Sequence, residues 1–590
     1  MGRIRCLTAV FCAALLAGAS PHRSVAQSAG APAAASSQQE AYERFARSFL
    51  DWYYADNPVR ATSLGIHAHD ARMPDVTRAG IERRAGELKE WLRRLQAIDR
   101  RQLRGDAVQD HVILENAIRA QLLDLEEVRG WRKDPGFYNG VISGGIATLS
   151  SREFAPLPER MRAMTARFQA VPAILAAARA NLQNPPLIFV EGAVRDVRGT
   201  SRFITQDVVA AARAQGLERV DSATFRAWSD AGGRAAVELE RFAAWMEINL
   251  RESDGDFRLG RDVFERKLKY EEFVDLSAEQ LRAVNERAIA DYHARVAREA
   301  ARIDPGRTPL QVMDSLTGIH PTPETLISTA QAQLDTIKRF IVEKGIVTLP
   351  SDRMPTVRET PPYARLGFAS MDTPGPFETA ATEAYYNITN VEPGWTAEQK
   401  AQHLTYFNYP GLLGITVHEA MPGHFVQLLY MPQIPTEVRK VFLPASVVEG
   451  WAHYAEQMMV DEGLGGGSPA VRLGQLRRAL QRHARWDAGL SMHAFGDSIE
   501  GAAKRFERIA YFAEFPALRE TQRGAGDPTY LYYALGRMQI LKLREDYRRY
   551  LESRGQRFSL RDFHDRFLRL GLPVSLARQV MIPGDTAPSL

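Results

Sequence analysis

Hydrophobic residues recur every three or four positions along most of the chain, which is the spacing of one face of an α-helix. The pattern is nearly continuous over residues 40–304, as in Phe45 and Phe49, and it returns from about residue 397 to the end. No fixed-period repeat accompanies it, so a solenoid is not expected. The pattern therefore predicts a mainly α-helical protein.

One stretch, residues 345–390, departs from the helical pattern. Proline is frequent there, and the segments 345–349, 355–358 and 385–389 have the composition of short strands. We expect them to form one small sheet just before the helix that carries the most informative motif.

The first residues have the order of an export signal. Arg3 and Arg5 precede an apolar run at 7–17, and a cleavage site of small residues follows. The run is too short for a stable bilayer span, although an uncleaved anchor is the alternative. The sequence thus predicts a signal peptide at residues 1–26 and a flexible lead-in at 27–39.

Composition narrows the class of protein further. The chain has 590 residues, of which 45% are hydrophobic and 25% charged, with a net charge of +4. This balance excludes a disordered chain and gives no field that would attract nucleic acid. The only cysteines, Cys6 and Cys12, lie in the predicted signal and not in a lipoprotein cleavage site. A cysteine-free product without a stable membrane anchor suits the periplasm or secretion.

A metal-binding pattern lies between residues 418 and 456. His418, His424 and Glu449 offer two imidazoles and one carboxylate, which a catalytic zinc needs while a fourth position holds water. Glu419, next to the first histidine, can accept the proton of that water. The alternatives are polar histidines at a helix break, Glu449 paired with an arginine, and His453 as the second histidine ligand.

The spacing of the two histidines requires a distorted helix. They are six residues apart, roughly 600° around a regular helix, so a straight helix would present them on different sides. Pro422 cannot donate an N–H to the preceding turn, and Gly423 adds backbone freedom. We therefore predict a break at residues 421–423 that brings His424 back beside His418.

The second segment needs no distortion, because Glu449, His453 and Glu456 share one helix face. His453 is expected to orient Glu449 rather than bind the metal. Glu456 is expected to bond a ligand histidine, with a solvent-facing carboxylate as the alternative. Gln427 is interpreted as structural rather than catalytic.

These motifs resemble the bacterial domain-of-unknown-function 885 family, over almost all of residues 40–590. Members of that family are usually described as candidate zinc metallopeptidases. The matching residues are His418-Glu419-x-x-Pro422-Gly423-His424-x-x-Gln427, Glu449-Gly450-Trp451-Ala452-x-Tyr454, Ala61 to His67, and Tyr533-x-x-Gly536 leading to Leu541-x-Leu543-Arg544.

The resemblance implies a fold similar to thimet-type oligopeptidases and angiotensin-converting-enzyme-like peptidases. It implies one domain at 40–590, with a helical lobe at about 40–340 and a zinc-site lobe at about 341–590 around a deep cleft. A small antiparallel sheet is expected beside the zinc helix. The chain departs from those relatives in its histidine spacing, which is two residues longer.

In such peptidases a tyrosine or histidine of the C-terminal lobe stabilises the oxyanion. Tyr533 is the best candidate here because it lies in the matching motif, with Tyr532 and Tyr530 as rivals. Aromatic packing in the core is the alternative reading of this tyrosine cluster.

Two further predictions concern the substrate. The strand at 385–388, which includes Tyr386, is expected to hold an extended peptide by edge pairing. His493 and Asp487 are expected to line the cleft.

The leading functional hypothesis is an exported Zn2+-dependent peptidase that hydrolyses short peptides, with Glu419 as general base. One alternative keeps the metal and changes the substrate to a non-peptide amide or ester. The other is a non-catalytic peptide-binding protein of the same fold. The sequence leaves open the substrate preference, the choice between exo- and endopeptidase and the oligomeric state.

Overall fold

The computed structural model describes residues 31–361, 365, 367–392, 394–585 and 587–590, with side chains from residue 37 onward. The predicted signal peptide at 1–26 lies outside the described residues. The prediction of a mainly helical protein is confirmed. Among the described residues, no helix combines the length and the apolar character that crossing a membrane requires.

The first helices contradict part of the predicted lead-in. Residues 31–39 belong to α1, which begins at Ala31, so they are helical where a flexible segment was predicted. The N-terminal helices are α1 (Ala31–Asp56), α2 (Pro58–Leu64), α3 (Arg78–Gln96) and α4 (Ala107–Leu123).

The next group of helices forms a hydrophobic core of its own. Helices α6–α11 bury large apolar side chains against one another, among them Phe168, Trp228 and Phe242. The helices of this group are α5 (Gly130–Lys133), α6 (Pro135–Ser151), α7 (Leu157–Asn181), α8 (Leu187–Arg202), α9 (Val208–Ala214), α10 (Leu217–Val220) and α11 (Ser222–Asn249).

Four helices lead from this group to the sheet, and a capping box of Ser277 and Gln280 starts α13. They are α12 (Arg261–Glu272), α13 (Ala278–Ile303), α14 (Pro309–Thr317) and α15 (Leu326–Lys344).

The small sheet is mixed, so the expected antiparallel arrangement is wrong. Its strands are β1 (Thr356–Glu359), β2 (Ala369–Asp372) and β3 (Tyr385–Ile388), in the order β1-β3-β2. β3 pairs with β1 in parallel and with β2 antiparallel. Residues 345–349 form no strand. Because β3 is central, both of its edges are already paired.

The last helices carry the candidate site and complete the cores. They are α16 (Ala397–Thr405), α17 (Tyr409–Glu419), α18 (His424–Tyr430), α19 (Glu437–Val441), α20 (Ala445–Asp461), α21 (Pro469–Phe495), α22 (Ile499–Ala510), α23 (Glu514–Gly526), α24 (Tyr532–Ser553), α25 (Leu560–Leu570) and α26 (Val574–Met581).

The largest hydrophobic core contains residues from both sides of the expected lobe boundary near residue 340. It joins side chains of α1–α4, such as Phe49 and Leu114, to Trp451 of α20 and Phe563 of α25. The predicted lobes 40–340 and 341–590 therefore do not describe how the hydrophobic cores are divided. The N-terminal helices instead help to support the region that carries the metal-binding motif.

Candidate metal centre

A break in the backbone separates the two motif histidines, as predicted. α17 ends at Glu419 and α18 begins at His424. The peptide bond between Met421 and Pro422 is cis. The N–H of Gly423 donates to the carbonyl of Val417 at 3.0 Å, which folds the chain back on the end of α17.

Gly423 is required by the closeness of this fold. A Cβ atom at this position would lie 1.8 Å from the carbonyl oxygen of His418, far inside van der Waals contact. The indole N–H of Trp451 donates to the carbonyl of Pro422 at 2.8 Å. The turn is thereby fixed to α20, which also supplies Glu449.

The break brings His418, His424 and Glu449 together. Nε2 of His418 lies 3.3 Å and Nε2 of His424 3.4 Å from Oε2 of Glu449. The two imidazole rings are nearly perpendicular, with centroids 4.8 Å apart. Among the described residues, this is the group of three or more His, Cys, Asp or Glu side chains whose geometry could hold a metal ion.

These separations fit a metal ion. Two donor atoms about 2.1 Å from a tetrahedral zinc ion lie about 3.4 Å from each other. Oε2 of Glu449 is buried and has no hydrogen-bond partner among the described residues, as expected of an atom that is free to ligate. The side chains of His424 and Glu449 are 15% and 25% exposed, so the site keeps an open side.

Glu456 holds the other ring nitrogen of His418. Its Oε1 lies 2.8 Å from Nδ1, and Arg478 donates to its Oε2 at 2.7 Å. Burial lowers the pKa of His418, but the carboxylates of Glu449 and Glu456 outweigh it and raise that pKa to about 9. A carboxylate on the far nitrogen orients a metal-binding imidazole with Nε2 towards the ion.

His453 does not join the three ligand candidates. It is fully buried, and its Nδ1 lies 3.5 Å from Oε1 of Glu456. Burial lowers its pKa to about 4, so the ring is neutral at physiological pH. In the described part of the chain both of its ring nitrogens lack a hydrogen-bond partner. The structure thus brings His424, not His453, beside His418.

Glu419 is the last residue of α17 and is partly exposed. Burial and, to a smaller extent, the charge of Glu419 raise the pKa of Tyr386, while Glu419 also favours the protonated form of His418. The carboxylate is therefore electrostatically coupled to the candidate centre, at the point where the helix ends.

Of the three candidate tyrosines, Tyr533 faces the centre. Its ring stacks near that of His418, with the centroids 6.4 Å apart. The guanidinium of Arg485 lies 5.1 Å from its ring centroid. Tyr532 donates to Asp527 at 3.1 Å, and the fully buried Tyr530 donates to the carbonyl of Glu520 at 3.3 Å.

Two other sequence predictions concern positions that the structure assigns to packing. Tyr386 is fully buried and its hydroxyl lies 3.2 Å from Thr416 of α17. The prediction that 385–388 binds a peptide by edge pairing is wrong, since β3 is the central strand. Gln427 is buried and donates to the carbonyl of Val447 at 3.2 Å, which joins α18 to α20.

His493 and Asp487 were expected to line a cleft. His493 is 1% exposed, and its Nε2 bonds the carbonyl of Gly524 at 2.9 Å, so the prediction is wrong for this residue. Asp487 forms an ion pair with Arg505 at 2.8 Å. Both side chains instead join α21 to the helices that follow it.

Sequence reasoning missed the arginines of α21. Arg478, Arg482 and Arg485 are spaced four and three residues apart, and all three lie near Glu456 or Tyr533. Charged residues repeating at helical spacing in an apolar helix were the available signal. Arg478 and Arg482 pair with Glu456, whereas Arg485 pairs with Glu520 of α23.

A second missed feature is the contact between Gly450 of α20 and Gly536 of α24. A Cβ atom on Gly536 would lie 1.8 Å from the carbonyl oxygen of Ser446. Only glycine allows the two backbones this close. The contact places Glu449 and Tyr533 on neighbouring turns of two touching helices.

Comparisons with known proteins agree with this architecture. A solved structure from Shewanella oneidensis, described as a "putative lipoprotein of unknown function", is 27% identical, with a TM-score of 0.76. The match covers 92% of this chain and 99% of that one. A "putative lipoprotein" from Colwellia psychrerythraea, 18% identical with a TM-score of 0.76 over 93% and 98% of the two chains, shares the fold.

No curated protein matches the chain. The family model "Bacterial protein of unknown function (DUF885)" matches residues 58–581, which include every part of the candidate centre. The chain therefore belongs to the DUF885 family of bacterial proteins.

Proposed function

We propose that this protein is an exported zinc metallopeptidase that hydrolyses short peptides. The observation that carries the proposal is the convergence of His418, His424 and Glu449 on one point, with donor separations of 3.3 and 3.4 Å. Two imidazoles, one carboxylate and an open side are the ligand set of a catalytic zinc. A structural zinc would use a fourth protein ligand instead.

His418, His424 and Glu449 would hold a zinc ion, which would supply a Lewis acid able to polarise the scissile carbonyl and to acidify a water molecule. Glu419 accepts the proton of the attacking water on its carboxylate and delivers it to the nitrogen of the leaving amine. Glu456 keeps Nδ1 of His418 engaged, so that Nε2 faces the ligand site. Arg478 holds Glu456 in its ionised form.

Tyr533 is suited to stabilise the oxyanion that develops on the carbonyl. Its ring stacks near that of His418, and burial raises the pKa of its phenol despite the nearby Arg485 guanidinium, so the hydroxyl keeps its proton and can donate. A hydroxyl donor held in place before the reaction stabilises the transition state more than the substrate.

The proposed location is outside the cytoplasm. The sequence begins with an expected export signal, and the structural relative from Shewanella oneidensis is described as a "putative lipoprotein". Both cysteines of this chain fall within the predicted signal, so the mature protein offers no thiol for lipid attachment.

The test compares wild type with Glu419→Gln on a peptide library, after zinc loading. We expect kcat to fall by about 10²- to 10⁴-fold in the variant, because the general base is lost. The zinc content should be unchanged. Glu127→Gln, which alters an exposed carboxylate paired with Arg266, is the matched control and should keep full activity.

Equal activity of wild type and Glu419→Gln would remove Glu419 as the base. Cleavage of esters or lactams without any cleavage of peptides would favour the hydrolase of non-peptide substrates. A zinc content of purified protein below about a tenth of an equivalent would favour a non-catalytic peptide-binding protein.

A further inference from the structure

A cavity of about 540 Å³ is lined by residues of α20 and α24, the two helices that carry Glu449 and Tyr533. Tyr532, which lines it, adjoins Tyr533 in the chain, and Ala445 lies one helical turn before Glu449. Burial and Asp527, with a smaller effect of Glu449, raise the pKa of Tyr532, so the cavity wall and the candidate ligand interact electrostatically.

The charged side chains that line this cavity are unbalanced. Four are carboxylates, Asp124, Glu271, Glu272 and Asp527, and one is an amine, Lys267. Lys267 is already bonded to two of the carboxylates, Asp124 and Glu271. The remaining wall is aromatic and apolar, which strengthens the interaction of a charge placed inside.

Glu272 is the carboxylate with the least compensation. Its side chain belongs to a residue that is 4% exposed, and it forms no ion pair with any residue that the structure describes. The N–H of Ser446 donates to Oε2 at 2.8 Å, and the Ser446 side chain also favours the carboxylate, but both groups are uncharged. A carboxylate buried without a counterion is costly until a cation pairs with it.

The pKa values of the carboxyl groups agree with a lack of positive charge in the cavity wall. Burial raises the pKa of Glu271 to about 7 despite Lys267. Burial also raises the pKa values of Glu272 and Asp527, even though Arg523 lowers that of Asp527. A positively charged group in the cavity would favour the ionised form of these side chains.

We propose that this cavity binds a positively charged group of the peptide substrate, an ammonium or a guanidinium, and so selects cationic peptides for the adjacent centre. The inference rests on the proposed peptidase function and adds the substrate class. Two sources supply such a group, the free amino terminus and a lysine or arginine side chain. The four carboxylates serve both, and Glu272 is the main contact.

The test uses matched peptides that carry lysine or norleucine at each position, with a free or acetylated amino terminus. Wild type should cleave the preferred cationic form with a kcat/KM at least about tenfold higher than its neutral partner. Glu272→Gln and Asp527→Asn should each lower that ratio about tenfold. Both substitutions keep an oxygen that accepts the existing hydrogen bonds.

Two features keep the outcome decisive. Glu127→Gln removes the same charge on a side chain outside the cavity and should leave the ratio unchanged. Binding of the same peptides to zinc-loaded Glu419→Gln, measured by calorimetry, tests the cavity without catalysis. If wild type cleaves no peptide but cationic peptides still bind preferentially to the variant, the peptidase function fails and the cavity assignment stands. Equal or undetectable binding of charged and neutral peptides overturns the inference.

Discussion

Two clusters in this protein join histidine to carboxylates, and they differ in whether their polar atoms are satisfied. In one, Nδ1 of His67 lies 3.0 Å from Asp70 and Nε2 lies 3.0 Å from Glu378. Both ring nitrogens are used, and the ring stacks on Phe154 at 3.7 Å. In the other, Oε2 of Glu449 is buried between two imidazoles with no hydrogen-bond partner among the described residues.

The difference teaches how a structural cluster is distinguished from one that can bind a metal. A single histidine between two acids is complete in itself, because each nitrogen already has a partner. Two Nε2 atoms that face one carboxylate oxygen without a hydrogen bond have a geometry that could hold an ion. The first cluster joins the turn after α2 to the loop between β2 and β3, and the second brings together side chains from α17, α18 and α20.

The largest contrast should appear when a histidine is removed from each cluster. His418→Ala should weaken zinc binding about 100- to 1,000-fold, since one of the donors that share the binding free energy is lost. His67→Ala should leave zinc affinity unchanged. Titration with a competing chelator measures both constants. Equal affinity in the two variants would contradict the contrast.

The next largest difference is expected from glycine substitutions, which should affect zinc affinity in one cluster and stability in the other. A Cβ on Gly423 would collide with the carbonyl of His418, so Gly423→Ala should displace His424 and lower zinc affinity about tenfold or more. Gly65 has φ +88°, and its Cβ would lie 2.3 Å from the backbone nitrogen of Glu378. Gly65→Ala should lower the unfolding free energy by about 1–3 kcal/mol with zinc affinity intact.

Substituting the carboxylate that supports each histidine should give a smaller difference in zinc affinity between the two clusters. Glu456→Gln should reduce zinc affinity about 10- to 100-fold, because His418 loses the charge that orients it. Asp70→Asn removes the equivalent support of His67 and should leave zinc affinity unaffected. Zinc content after dialysis against graded chelator separates these outcomes.

The smallest expected effect is a pH dependence of the stability that the His67 cluster contributes. Burial lowers the pKa of His67, but Asp70 and Glu378 outweigh the effect of burial. The pKa is therefore raised above its ordinary value of about 6.5. The stability that it contributes is therefore present at pH 6 and is lost as the pH rises through the raised value. Screening limits the contribution to about 1 kcal/mol or less.

Urea unfolding of wild type and His67→Gln at pH 6 and pH 9 measures this contribution. The difference in unfolding free energy between the two proteins should be larger at pH 6. A difference that grows towards pH 9 would show that the charged form of His67 does not stabilise the fold.

Local features of the fold could be predicted from the sequence. The capping box at Ser277 depends only on residues three positions apart, and the break before His424 depends on an adjacent proline and glycine. The convergence of the histidines followed from this same local reasoning. Such features need no knowledge of distant contacts.

Features that depend on distant contacts could not be predicted. β2 has an ordinary sequence, Ala369-Ser-Met-Asp372, and becomes a strand only by pairing with β3. Its presence makes β3 central and excludes the expected edge pairing of Tyr386. Tyr530 differs from Tyr533 only in the residues that pack around it, so the burial of Tyr530 could not be predicted from the motif. The roles of Arg478 and Arg482 likewise depend on the approach of α20 to α21.

Helix α20 combines three separate duties in this protein. It supplies Glu449, its Trp451 holds the turn between the histidines, and its Glu456 orients His418. A rotation of this one helix would disturb all three at once. The position of α20 therefore governs the separations among all three side chains of the candidate centre.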